Sequence, residues 1–101
     1  MNVAQAVNVQ GRLMRDGFAV LNPMLSALWP DAWTIDHATW IENDLPWVAV
    51  AHVVLRLPGE SAGADEECSF ARDHNIPVFD TWHDLMEWKT AWDVTQPQVI
   101  G

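Results

Sequence analysis

A chain of 101 residues, half of them hydrophobic, has the size of one domain with a single modest core, and this composition excludes intrinsic disorder. Fourteen acids against five bases give a formal net charge of -9, which excludes binding of a nucleic acid duplex or an anionic membrane through bulk charge. Any phosphate must be held locally, by backbone amides or single side chains.

Residues 3–16 are predicted as an amphipathic helix, with Val3, Ala6, Val7, Leu13 and Met14 near helical spacing and Gly17 at the helix stop. "FAVLNP", Phe18 to Pro23, reads as a short strand ended by a turn, and residues 23–36, with Pro30 and two tryptophans, read as a loop. Asp36 caps a helix carrying Ile41 and Leu45, which Pro46 bends or restarts. "HVVLRL", His52 to Leu57, is an unbroken β-rich run of the kind buried on both faces, and Pro58 and Gly59 end it. A helix from about Ala64 to Asp73 follows, then the strand "IPVF", Ile76 to Phe79, then a helix from Thr81 to Trp92. This alternation is that of an α/β fold, a small open parallel sheet of flavodoxin or Rossmann type with helices on both faces. Such folds open on a strand and this sequence opens on a helix, so the first strand is missing. Residues 1–93 are expected to form one domain and 94–101 a flexible tail.

No run approaches the roughly 20 apolar residues of a membrane span, and the N-terminus lacks the basic and apolar regions of a signal peptide, so a cytoplasmic protein without a membrane partner is expected. Cys68 is the only cysteine, which excludes a disulfide or a cysteine-based zinc site within one chain. His83 and Glu87 share a helix face at i, i+4 and read as a surface pair, metal ligation being the alternative; no metal and no cofactor are expected. Seven tryptophans stand without one tyrosine. Trp29, Trp33, Trp40 and Trp47 crowd one stretch, and Trp82, Trp88 and Trp92 the last helix. They read as core and subunit-interface packing, or as platforms for base stacking.

The chemistry-bearing stretch is "LPGESAGADEE", Leu57 to Glu67, which leads from the end of a predicted buried strand into a helix. In open parallel sheets ligands bind at such places, where free amides and the helix dipole attract an anion. Gly63 permits close backbone approach, the Ser61 hydroxyl can donate to a phosphate or sugar oxygen, and Glu67 lies one turn into the helix. The plainer reading is that Ser61 caps the helix while Asp65, Glu66 and Glu67 neutralise its positive end.

"NDL" at Asn43 to Leu45, the strand "HVVLRLPG" eight residues beyond Asp44, the spacing Ser61-x-Gly63-x-x-x-Glu67-x-x-x-Ala71, and "NIPVF" together resemble the nucleoside 2-deoxyribosyltransferase-like superfamily. "LMRDGFAVLNP" resembles its first helix and second strand, so the likeness covers roughly residues 3 to 80. The resemblance implies an N-glycosidase or deoxyribosyltransferase in which Glu67 attacks the anomeric carbon, Asp44 assists, and Ser61, Gly63 and Gly59 hold the sugar or phosphate. Ser61 falls where the transferases tend to carry an acid and the nucleotide hydrolases a phosphate-binding serine, which favours a 5′-phosphorylated substrate and hydrolysis. The partner implied is a small nucleoside or nucleotide, and family members commonly form homodimers or larger homo-oligomers. The chain departs from the family in the missing first strand with its substrate-contacting loop, in His52 where an aspartate is common, and in Pro46. These departures leave two alternatives, a non-catalytic nucleotide or sugar-phosphate binding module of the same fold and a structural homo-oligomer.

Overall fold

A computed structural model describes residues 3–96. Helix α1, Val3–Arg15, buries Ala6 and Leu13, whereas Val7 and Met14 of the predicted apolar stripe are exposed. It ends as its glycine dictates. Gly17 takes φ 91°, its amide donates to the Met14 carbonyl at 3.2 Å, and the Phe18 amide donates back to Leu13 at 3.0 Å, the paired bonds of a Schellman stop.

The strand predicted over Phe18–Pro23 does not form. A strand needs a hydrogen-bonded neighbour, and the sheet of the described residues contains two other segments only. Phe18–Asn22 is neither helical nor paired, and Asn22 then caps a short 3-10 turn, Pro23–Leu28, by accepting from the Met24 amide at 3.0 Å. A second such turn, Ala32–Thr34, completes the stretch expected to be a loop.

Helix α2, His37–Ala49, starts where Asp36 accepts from the Thr39 amide at 2.8 Å. Pro46 removes one intrahelical donor, yet the helix runs on through it without restarting. The parallel sheet consists of β1, Val54–Leu55, and β2, Val78–Phe79, in the register Val54 to Val78 and Leu55 to Phe79. The predicted strand His52–Leu57 is thus shorter than expected. It is also half-buried along Val53–Leu57 and not buried on both faces, because one side opens on a cavity.

Helix α3, Ala62–Asp73, connects the two strands, as parallel pairing requires. It buries Cys68 and Ala71 and packs most extensively on α2. Its C-terminus repeats the Schellman pattern with Asn75 at φ 60°, Asn75 donating to Arg72 at 3.1 Å and Ile76 to Ala71 at 2.8 Å. Helix α4, Trp82–Thr95, is capped by Thr81, which accepts from the Asp84 amide at 3.2 Å. It outruns its predicted end, so Val94 and Thr95 belong to a helix and not to a tail. The expected tail beyond Gln96, residues 97–101, lies outside the described residues.

The architecture is α/β and mostly helical, with a small parallel sheet. Among the described residues the buried apolar set is Ala6, Leu13, Ile41, Cys68, Ala71 and Leu85. The Cα radius of gyration is 14.4 Å, against about 13 Å for a compact domain of this length. No described helix is long and apolar enough to cross a membrane.

Candidate functional site

A cavity of about 1090 Å³ is bounded by α1, the run after it, α2, β1, the start of α3 and α4. Asp44, Gly59, Ser61, Gly63 and Glu67, distant in sequence, all line it. Asp44 reaches it from α2 and Glu67 from the second turn of α3, and the packing of these two helices brings the carboxyls together.

The pair is electrostatically unusual. Burial, reinforced by a side-chain hydrogen bond to Asp44 and by its charge, pushes Glu67 up to about 7; Arg56 opposes this and Glu66 adds to it. Two carboxyls in contact in a part-buried site retain a proton between them near neutrality. Such a pair can present one carboxylate and one carboxylic acid to the same ligand.

The loop into α3 is held chiefly by a residue whose role the sequence did not reveal. The Arg56 guanidinium, at the end of β1, donates to the Leu57 carbonyl, to the Gly59 carbonyl at 2.9 Å and to Asp65 at 3.3 Å. Gly59 sits at φ 116°, a conformation that disfavours any side chain, and its carbonyl is one of the arginine's acceptors. Only the position of Arg56, one residue before a Leu-Pro-Gly turn, hinted at this. His37 at the start of α2 similarly meets Glu66 at 2.9 Å. Two of the three acids at the start of α3 therefore pair with groups from β1 and α2, and Glu67 alone turns to Asp44.

Ser61 is the N-cap of α3, its hydroxyl oxygen accepting from the Ala64 amide at 3.1 Å. Its hydroxyl hydrogen is not used by that bond. Gly63 lies inside the helix and not in the loop; a Cβ there would stand 3.6 Å from both His37 Cε1 and Ile41 Cδ1. A methyl would fit there at ordinary contact, so the approach of α2 to α3 does not require a glycine at this position.

The tryptophans divide. Trp33 is 83% exposed, and Trp29 and Trp47 are about half exposed at 49% and 55%, so the first cluster does not form a core within the chain. Trp40, Trp47, Trp88 and Trp92 line the cavity. Trp88 and Trp92 stack at 5.1 Å, and His52 leans on Trp92 at 4.5 Å. Arg12 lies 3.8 Å over the Trp82 ring, tying α1 to α4. His83, fully outside the cavity, sits 3.3 Å from Asp84 and 3.7 Å from Glu87, and the three donor atoms fall within 4.8 Å of one another on an exposed turn.

Compared with protein-family models, curated proteins and solved structures, the chain matches none. The functional reading therefore stands on the residues and their geometry.

Proposed function

We propose that the chain is a nucleoside or nucleotide N-glycosidase, or the closely related deoxyribosyltransferase, built on a Rossmann-like doubly wound frame. The observation that carries this reading is the Glu67–Asp44 pair on the cavity wall, with Glu67 held up to about 7. Glycosidic chemistry needs two carboxyl groups in opposite protonation states, and a proton-sharing pair supplies them near neutral pH.

In this mechanism the Glu67 carboxylate attacks the anomeric carbon as the bond from that carbon to the base nitrogen breaks. The proton that the pair shares passes to the departing base, which leaves both carboxyls without it. Water then attacks the glycosyl ester, giving its proton back to the pair and releasing the sugar with Glu67 restored. A second base in place of water gives transfer. The unused Ser61 hydroxyl hydrogen and the free amides at the start of α3 suit a 5′-phosphate, which favours hydrolysis of a nucleotide. The partners in this reading are small nucleosides or nucleotides, and the exposed Trp29 and Trp33 suit contact with further copies in a homodimer or larger assembly.

A binding module without turnover is the second reading. It is favoured by the breadth of the cavity, which at about 1090 Å³ exceeds the roughly 300–1,000 Å³ of ordinary ligand sites. Incubation with a panel of deoxynucleosides and their monophosphates, followed by chromatography for free base, separates the two. Release by the wild-type chain and its loss in Glu67→Ala, with the variant's helicity unchanged, is the expected result. Equal release by both proteins would remove Glu67 from the chemistry. Saturable binding with no free base would make the chain a binder.

A further inference from the structure

The cavity is lined by two stretches of backbone that carry unpaired amides, the open edge of β1 and the run after α1. On one edge of β1 the Val54 amide donates to Pro77 at 2.9 Å and the Arg56 amide to Phe79 at 2.7 Å. Strand alternation turns the amides of Val53 and Leu55 to the opposite edge. Among the described residues nothing accepts from those two amides, nor from Ala19, Val20 or Leu21 on the far wall. Both segments border the same cavity, which α1 covers with Val9 and Leu13 and α4 with Trp88 and Trp92.

We propose that this slot receives an extended segment of another polypeptide, inserted as a strand between Phe18–Asn22 and β1. The unpaired edge of β1 offers amides and carbonyls as a directional template for a further strand. A compact apolar ligand fills volume without satisfying them; an extended backbone satisfies both walls at once.

Charge selects the kind of segment. The cavity lining carries Glu60 and the proton-sharing Asp44–Glu67 pair without a salt bridge, while Asp93 is neutralised by Lys89 and Arg56 is engaged with Asp65. Lys89 holds both Asp93 oxygens at 2.6 and 2.7 Å. The incoming strand is therefore apolar within the slot and basic at its ends. A second copy, itself at net charge -9, is a poor donor. Insertion would also narrow the cavity to a ligand-sized pocket at its Asp44–Glu67 end. The inference does not depend on glycosidase activity, because its readouts are of peptide binding.

The test uses the unaltered chain and the synthetic peptide Lys-Val-Ile-Val-Thr-Val-Lys, with a second peptide N-methylated at alternate residues. Tryptophan fluorescence reports occupancy, since Trp47, Trp88 and Trp92 line the cavity, and amide hydrogen exchange reports pairing. The expected result is saturable binding of one peptide per chain, with exchange at Val53, Leu55 and Ala19–Leu21 slowed about tenfold or more, and affinity about tenfold or more weaker for the N-methylated peptide. Equal binding of the two peptides, or binding without protection of those amides, would overturn strand insertion. So would failure of the first peptide to bind, or a dimer of the chain alone that protects the same amides and excludes the peptide.

Discussion

Glu67 is the residue on which both the chemistry and a stability measurement converge. Its carboxyl is raised from an ordinary value of 4.5 to about 7, so between these pH values the folded chain binds more protons at this site than the unfolded chain. Stability from this group is fully present below pH ~4.5 and is lost as pH rises towards and through ~7. Asp36, the N-cap of α2, and Asp84, in the first turn of α4, are shifted the other way, below 3.8, by hydrogen bonds from Thr39 and Thr81. Their contributions are lost only as pH falls below that value, outside the Glu67 window. Glu67→Gln removes the titration and keeps the shape. Urea unfolding of the two proteins at pH 5 and pH 8 is expected to show the variant gaining on the wild type by on the order of 1 kcal/mol at the higher pH, discounted because the site is partly solvated. A wild-type minus variant difference that does not change with pH would mean that Asp44 and Glu67 do not share a proton.

Elements of this chain are defined by their ends. Asp36, Ser61 and Thr81 each accept from the amide three residues on, and Gly17 and Asn75 close α1 and α3 in the left-handed region. Ser61 is the cap with a second proposed role, and the roles separate by substitution. Ser61→Ala is expected to lower stability by about 1 kcal/mol, whereas Ser61→Asp keeps the cap and stays within a few tenths of a kcal/mol of wild type in urea unfolding. Where the site holds a 5′-phosphate, Ser61→Asp sets a carboxylate against it and should lower affinity for monophosphates while sparing nucleosides, as read by equilibrium dialysis. Unchanged monophosphate binding in Ser61→Asp would leave Ser61 with the cap alone.

The same local signals explain what the sequence made legible. The Asp36 cap, the Ser61 cap as the plainer reading of its stretch, the Gly17 stop and the four long helices came from residue type and spacing, because those interactions are made within a few residues, whereas the Thr81 cap was placed inside its helix. Pairing is non-local, and there the reading failed: "FAVLNP" has the composition of a strand but no neighbour to bond, and "HVVLRL" yields a β1 of two residues with one edge unpaired. Asp44 and Glu67 were named separately, but their mutual hydrogen bond depends on how α2 packs on α3. Arg56 was missed because three acceptors in one loop leave no periodic trace.

For the whole molecule, a large open cavity and a short list of buried side chains among the described residues mean that stability is concentrated in a few places. Leu85, 1% exposed, is among the described residues the one large side chain buried essentially completely, and it reaches the cavity wall from the second turn of α4. Loss of a buried leucine side chain typically costs about 2–5 kcal/mol, against total stabilities of about 5–15 kcal/mol for ordinary domains. With so few alternative contacts the neighbouring chain cannot make up the loss, although some collapse into the existing cavity tempers it. Leu85→Ala is therefore expected to lower the urea midpoint by a third or more, while Val94→Ala, at a site 82% exposed on the same helix, changes stability by no more than about 0.5 kcal/mol. Circular dichroism at the helical band through a urea titration makes the comparison. Similar midpoints for the two variants would mean that α4 is not anchored through Leu85, and that the tryptophan stack and the Arg12–Trp82 contact hold it instead.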